Sequence, residues 1–255
     1  MRVIVTRPES EARLWGLELE RRGFETAVLP LIEIHPAPRP AEVNAAWRAL
    51  EGLRAVMFVS GNAVRQFFAQ RPAGAAWPKA TRAWATGAGT REALLEAGVE
   101  AALVDAPPAQ STQFDSENLW QGVAAQVKAQ DRVLIVRGMD QGDENTGRTW
   151  LADQLLAAGA QVRPVVAYVR ARPAWDDQHR ARAQQLCAPA SVWLFSSSQA
   201  IVHLQSLMPE RAWAAGRAVA THPRIAQTAR GAGFVVVCES RPSVDAVAAA
   251  LESIR

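Results

Sequence analysis

The chain has 255 residues, enough for one large domain or two domains of ordinary size. Hydrophobic residues make up 49% and charged residues 21% of the composition, a balance that excludes a disordered chain and indicates a substantial buried core. The net charge is only +3, and no basic run, zinc-finger spacing or aromatic RNA-binding motif occurs, so we expect no nucleic-acid partner.

The first segment reads as a strand, Val3-Ile4-Val5, and a helix over residues 10–22 that ends at Gly23. It lacks the basic region, apolar stretch and cleavage site of a secretion signal. No later apolar run approaches the roughly 20 residues that span a bilayer. We therefore expect a cytoplasmic protein that does not associate with membranes.

Strands and helices alternate along the rest of the chain, which predicts an α/β fold with parallel sheets covered by helices. Residues 105–115 read as a loop, and Ser116 is expected to cap the helix that opens at Glu117. Further strands are predicted at residues 27–29, 55–59, 83–85, 101–104, 133–136, 162–166, 192–195, 218–220 and 235–237.

An internal duplication relates the two parts of this pattern. Residues 58–64 pair with 195–201, each reading strand, polar turn and helix. Residues 85–98 pair with 220–233, and residues 2–7 resemble 132–137. The repeat predicts two similar doubly wound parallel-sheet domains.

Two stiff stretches, residues 36–40 and 168–173, read as connections between these domains. The predicted division is residues 1–36 with 171–255 as one domain and residues 37–170 as the other. Strands near 31–36 and 166–172 would form a two-stranded linker. We expect a ligand cleft between the domains.

Small polar residues stand where predicted strands hand over to helices, at the edge where α/β folds place ligands. Backbone N–H groups at a helix N-terminus are unpaired and attract anions. Each residue taken alone is also an ordinary helix cap. The candidate ligand-binding residues are Ser60, Gly61, Asn62, Thr86, Gly87, Thr90, Arg137, Gly138, Ser197, Ser198, Thr221 and His222.

A dinucleotide site is the alternative for the segment Gly87-Ala88-Gly89, since Asp105 follows at nearly the spacing of a ribose contact. Glu92 stands where the third glycine of that motif belongs, and a bulky acid there impedes close packing of helix on strand. The sequence therefore disfavours nicotinamide binding.

Tyr168 is the one tyrosine of the chain, in the second predicted connection. A phenol there can donate a hydrogen bond to a leaving group, or simply pack at a domain hinge. The histidines at 35, 179, 203 and 222 lack metal spacing, and Cys187 and Cys238 lack ligand partners nearby. We expect neither a metal site nor a disulfide.

Short segments spread over nearly the whole chain resemble, in order and spacing, the uroporphyrinogen-III synthase family. The segments that carry the resemblance are residues 5–8, 29–34, 58–64, 87–90, 116–119, 134–138, Tyr168, residues 196–198 and residues 222–226.

The resemblance implies two α/β domains, hydroxymethylbilane as substrate, uroporphyrinogen III as product, and no metal or organic cofactor. It implies that Tyr168 assists departure of the substrate hydroxyl. Arg7, Arg137 and the turns at Ser60, Thr90 and Ser197 would hold carboxylates. Residues 221–225 depart from the glycine and hydroxyl residues frequent in relatives, so His222 or Arg224 would take over any role there. We expect a monomer.

A non-catalytic protein whose two lobes close on an anionic small molecule is the rival hypothesis from another class. Such receptors commonly carry a secretion signal, and the absence of one here counts against this reading.

Overall fold

The structure is a computed structural model that describes residues 1–107, 116–142, 150–188 and 190–254. The chain forms two compact units, Met1–Glu33 with Ala171–Arg255, and Ile34–Arg170. Each unit is a sheet flanked by helices, so the predicted α/β class is confirmed.

The helices and strands follow one another in the alternation that the sequence predicts. In chain order they are β1 (Arg2–Val5), α1 (Glu9–Glu20), β2 (Glu25–Val28), β3 (Glu33–Pro36), α2 (Pro40–Arg48), β4 (Ala55–Phe58), α3 (Gly61–Phe68), β5 (Arg82–Ala85), α4 (Ala88–Glu96), β6 (Val104–Asp105), α5 (Ser116–Val123), β7 (Arg132–Asp140), α6 (Trp150–Ala157), β8 (Gln161–Ala171), α7 (Asp177–Leu186), β9 (Ser191–Phe195), α8 (Ser198–Leu207), β10 (Arg217–Ala220), α9 (Pro223–Gly231), β11 (Val236–Glu239) and α10 (Val244–Ser253).

The first unit is built on a parallel sheet in the order β2-β1-β9-β10-β11. Alternate strand residues point to one face, where they bury apolar side chains against α1 and α10. The side chains that form this layer include Val3, Val5, Val192, Leu194 and Val219 from the strands and Leu19, Val247 and Leu251 from the helices.

The second unit has a sheet in the order β3-β8-β7-β4-β5-β6, in which β4 to β8 are parallel. Apolar residues cover both faces of its central strands, as expected of a parallel sheet between two helix layers. One layer contains Val56, Phe58, Leu134 and Val136 with Trp47, Val64, Phe67 and Leu94. The other contains Ala55, Met57, Val133 and Ile135 with Leu119, Leu151 and Leu155.

The predicted duplication is confirmed by the strand orders. The order β8-β7-β4-β5-β6 of the second sheet repeats the order β2-β1-β9-β10-β11 of the first, with strands matched as the sequence repeat matches them. Gly98 after α4 and Gly233 after α9 both have positive φ, +89° and +102°, a conformation that favours glycine at a helix end. Five strands of the second sheet therefore repeat the topology of the first, and β3 is an additional edge strand.

The predicted strand over residues 101–104 is wrong in most of its length. Ala101–Leu103 form a 3₁₀ turn, and the strand is limited to Val104–Asp105 at the edge of the sheet. Ala101 and Ala102 are exposed, and a small side chain gains little from packing on a pleated surface. The prediction made this strand too long because residues 101–104 are all apolar.

The proline-rich stretch 36–40 lies within the second unit rather than between the two units. Pro36 ends β3 and Pro40 begins α2, at the first helical position, where a missing N–H costs nothing. The chain passes between units at Glu33–Ile34, in β3, and at Arg170–Ala171, in the neighbouring strand β8.

Residues 108–115 of the predicted loop lie outside the described residues. Helix α5 begins at Ser116 itself, so the predicted cap is the first residue of the helix. No helix in the described ranges is both long and apolar enough to span a bilayer.

Candidate active site

In the second sheet, β7 and β4 lie side by side. The helix that follows β7 leads to β8 on one side, and the helix that follows β4 leads to β5 on the other, so the chain changes direction at the carboxyl ends of these two strands. Ligands of doubly wound sheets bind at such a switch point. Of the sequence-predicted residues of this unit, those at 60–62 and 86–90 lie on the segments that leave β4 and β5, whereas Arg137, Gly138 and Tyr168 lie within β7 and β8. We therefore take this edge as the candidate site of the second unit.

Tyr168 and Ser60 meet at this edge. The Tyr168 hydroxyl lies 3.1 Å from Ser60 Oγ, although 108 positions separate the two residues. Tyr168 is buried, with 3% of its surface exposed, whereas Ser60 is half-buried. Ser60 also caps α3, since its Oγ accepts a hydrogen bond from the backbone N–H of Ala63 at 3.1 Å.

Gly138 lies directly beneath the Tyr168 ring. The two residues are opposite each other in the β7–β8 ladder, after a bulge between Arg137 and Gly138. A Cβ at Gly138 would lie 2.5 Å from Cε2 and 2.7 Å from Cε1 of the tyrosine ring. A side chain there would overlap the ring, so Tyr168 requires a glycine at this position.

The prediction that Arg137 and Gly138 stand where a strand hands over to a helix is wrong. Strand β7 continues to Asp140, because β8 extends the ladder as far as the pair Asp140 and Arg170. Arg170 Nε donates to Asp140 Oδ1 at 2.7 Å and closes this end. Arg137 is half-buried within the strand.

The N-termini of α3 and α4 lie next to each other at the same edge. A Cβ on Gly61, the first residue of α3, would be 3.4 Å from the carbonyl oxygen of Gly89 in α4. Gly87 is the extended residue before α4, and Thr90 is buried in its first turn. Thr86 Oγ1 donates to the Phe58 carbonyl at 3.4 Å.

The first unit repeats this arrangement between β1 and β9. Ser197 caps α8 by accepting from the Gln199 N–H at 3.2 Å, and His222 Nδ1 caps α9 by accepting from the Arg224 N–H at 3.1 Å. Thr221 is buried, and its N–H donates to the Phe195 carbonyl at 3.1 Å. Ser198 Oγ lies 3.1 Å from Thr228 Oγ1 of α9.

The side chains of Ser60, Ser197 and His222 therefore act as helix caps, which is the alternative that the sequence offered for each of them. The backbone N–H groups of these first turns still carry the partial positive charge that attracts carboxylates.

Arg7 follows β1 and is held by α1. Its Nη1 donates to Glu11 Oε2 at 3.2 Å, and its Cζ lies 4.0 Å from the centre of the Trp15 ring. Burial lowers the pKa of the Arg7 guanidinium, while the Glu11 carboxylate opposes that shift. Arginine nevertheless stays protonated in proteins, so this edge has a fixed cation.

Asp105 has a structural partner instead of an open position for a ribose. Arg82 binds its carboxylate with two hydrogen bonds, Nε to Oδ2 at 2.8 Å and Nη2 to Oδ1 at 2.6 Å.

Two features of the site were missed from the sequence. Arg65 reaches back to the start of α3, where its Nη2 donates to Asn62 Oδ1 at 3.0 Å. The three-residue spacing of an amide and an arginine on one helix face was the available signal.

The second feature is His203, a buried residue of the first unit. Its Nδ1 lies 2.7 Å from the carbonyl oxygen of Leu31, and its Nε2 lies 3.1 Å from Nε2 of Gln199. Nδ1 must donate to the carbonyl, so neutral Nε2 accepts from the Gln199 amide.

Comparison with solved structures shows the same fold elsewhere. The uroporphyrinogen-III synthetase of Helicobacter pylori is 16% identical, with a TM-score of 0.60, over 100% of this chain and 99% of that one. A mutant uroporphyrinogen III synthase of Thermus thermophilus is 18% identical, with a TM-score of 0.56, over 100% of this chain and 97% of that one.

The family model described as uroporphyrinogen-III synthase HemD matches residues 15–249. Enzymes of this family are cyclising lyases of tetrapyrrole synthesis that act on a small tetrapyrrole. The match spans most of the 255 residues and extends over both units, but residues 1–14, with β1 and Arg7, precede it. The chain therefore belongs to the uroporphyrinogen-III synthase family.

Proposed function

We propose that this chain converts hydroxymethylbilane into uroporphyrinogen III, with Tyr168 beside the departing hydroxyl. Family membership supports the reaction. The observation that carries the role of Tyr168 is its hydroxyl, held 3.1 Å from Ser60 Oγ at the switch point of the second sheet. A buried phenol at the edge where ligands bind is placed to donate a hydrogen bond.

In the first step the terminal carbon–oxygen bond of the substrate breaks, and its electron pair leaves with the hydroxyl. The Tyr168 O–H donates towards that oxygen, so that the group departs as water. The remaining cation is an azafulvenium ion, the N-protonated azafulvene, delocalised over its pyrrole ring. Since the pyrrole supplies the electrons, the protein needs only to assist the leaving group.

The substituted carbon of ring D then attacks the azafulvenium ion and gives a spiro intermediate. Fragmentation and recombination invert ring D, and a final carbon–carbon bond closes the macrocycle. The proton released as the last pyrrole recovers its aromaticity restores the tyrosine. The net products are uroporphyrinogen III and water.

The acetate and propionate carboxylates of the substrate are the groups that the helix N-termini would hold. Backbone N–H groups at the starts of α3, α4, α8 and α9 carry partial positive charge, and Arg7, Arg65 and Arg137 lie on the same edges of their sheets. Holding the carboxylates fixes the substrate in the conformation that leads to inversion. A monomeric state and a cytoplasmic location stay predictions.

Turnover separates this proposal from the rival, a non-catalytic binding protein. With hydroxymethylbilane in large excess over protein, the enzyme should form many equivalents of cyclised product, faster than the uncatalysed reaction in a protein-free control. A binding protein would slow spontaneous cyclisation by sequestering one equivalent. Product formation no faster than in the control would contradict the proposal.

Replacing Arg7 by alanine should raise KM for hydroxymethylbilane by tenfold or more, because hydrogen bonds to charged groups are worth about 1.5–3 kcal/mol. The measurement is steady-state kinetics on a variant whose circular dichroism matches the wild type. Glu11→Gln is the control, since it removes the local ion pair and keeps the cation. If Arg7→Ala folds normally and its KM equals that of the wild type, Arg7 serves the packing of α1 alone.

A further inference from the structure

We propose that Ser60 is a positioning residue for Tyr168. Its hydroxyl holds the phenol in place, and Gly138 supplies the surface against which the ring lies. The inference rests on the proposed function, in which Tyr168 assists the leaving group. It changes the role expected for Ser60, from a binder of substrate carboxylate to the partner of the catalytic hydroxyl.

A serine hydroxyl can cap the helix and hold the phenol at the same time. A serine hydroxyl has one proton and two lone pairs. One lone pair of Ser60 accepts from the Ala63 N–H, which leaves the proton and the second lone pair for the Tyr168 hydroxyl. When the phenol proton moves towards the departing hydroxyl, Ser60 can turn its own proton to the phenolate oxygen. Serine keeps its own O–H bond throughout, and the helix cap remains intact.

The helix cap holds the Ser60 side chain, and the strand ladder holds Tyr168. Ser60 is the residue before α3, extended at φ −167° and ψ 163°, and the bond to Ala63 fixes its side chain. On the opposite side, the Tyr168 ring lies against Gly138 with no room for a Cβ. The phenol therefore has few alternatives to its present place, which is the condition for an effective proton donor.

The duplication provides an internal comparison, because the first unit has the capping serine without the phenol. Ser197 caps α8 as Ser60 caps α3. The position that matches Tyr168, at the spacing that relates Gly23 to Gly159, is the buried residue Ile32. The fold needs a capping residue in both units, but it needs no hydroxyl at position 168. The fold therefore does not require the pairing of the Ser60 and Tyr168 hydroxyls, which favours a role for the pair in function.

The test begins without substrate, since Tyr168 is the one tyrosine in the chain and its spectrum is unambiguous. In protein labelled with ring-¹³C tyrosine, Ser60→Ala should shift the single Cζ resonance, and Ser60→Thr should restore it. Ser243→Ala is the matched control, because Ser243 caps α10 through the Ala246 N–H at 3.3 Å and its cap has no phenol. The control should leave the resonance unchanged.

Kinetics supply the second part of the test. Ser60→Ala should lower kcat roughly tenfold, the worth of one hydrogen bond, with KM little changed, and Ser60→Thr should recover most of the loss. In a Tyr168→Phe background Ser60→Ala should cost nothing further, because the two residues act as one unit. The control Ser243→Ala should have wild-type kcat.

An unchanged tyrosine resonance in Ser60→Ala would overturn the inference, and so would losses that multiply in the double variant. A rise in KM with kcat unchanged would overturn it as well and would return Ser60 to the carboxylate-binding group. A wild-type chain without turnover would refute the proposed function, yet the resonance would still decide whether Ser60 holds the phenol.

Discussion

Tyr168→Phe should lower kcat by about 10²-fold while the protein folds normally and isomer III remains the enzymatic product. The substitution removes one hydroxyl and almost no volume from a side chain that is 3% exposed. Assistance by a general acid typically contributes about 10²–10⁴-fold, and the low end applies because hydroxymethylbilane also loses hydroxide unaided. The measurements are kcat, KM and the ratio of uroporphyrin isomers after oxidation.

The value of kcat, read beside KM, distinguishes the two roles that the sequence left open for this tyrosine. A large fall in kcat with retained KM would assign the hydroxyl to the leaving group. A normal kcat would make Tyr168 a packing residue. Unfolding by denaturant should be recorded beside the kinetics, since the lost contact with Ser60 can lower stability by about 1 kcal/mol without any change in mechanism.

Gly138→Ala should both destabilise the second unit and impair catalysis. The added Cβ would overlap the Tyr168 ring, and overpacking of a filled core costs typically about 1–3 kcal/mol. The ring or the β7–β8 ladder must move, which takes the phenol away from Ser60. We expect both a lower free energy of unfolding and a fall in kcat at least as large as that of Ser60→Ala.

Gly122→Ala is the matched control, since it adds the same methyl group to an exposed position of α5 where nothing lies within 4 Å. Alanine in a helix should stabilise that variant by about 0.5–1 kcal/mol. Chemical denaturation of both variants gives the comparison. Equal stabilities for Gly138→Ala and the wild type would show that the tyrosine ring moves aside freely, which is incompatible with a fixed phenol.

Much of the fold could be predicted because it follows from local patterns that occur twice. The pairing of residues 58–64 with 195–201 predicted matching strand, turn and helix units, and five strands of the second sheet have the order of the first. The caps at Ser60 and Ser197 are also local, each decided within three residues. Such features depend on the chain immediately around them.

Gly138 shows why the rest could not be predicted. After a buried strand a glycine suggests the end of that strand, yet here it lies within β7 because the ring of Tyr168 packs against it. A glycine inside a strand marks the close approach of another group, but the sequence does not say which group approaches. The same limit hid the contact between Ser60 and Tyr168, which the folded sheet brings together across 108 positions.

Arg7 shows a similar limit for charged residues. The sequence indicates an arginine at a strand end, suited to a carboxylate. It does not reveal that Trp15 and Glu11 on the next helix already hold the guanidinium. Those contacts orient the cation and reduce its mobility, so its affinity for a substrate depends on packing that only the folded unit defines.

The central claim is the formation of the inverted isomer, and product analysis tests it directly. Freshly prepared hydroxymethylbilane is incubated with the purified chain, and in parallel without protein and with heat-denatured protein. The products are oxidised and the uroporphyrin isomers separated. We expect isomer III to predominate with the native chain and isomer I in both controls. Isomer I alone in all three reactions would contradict the account.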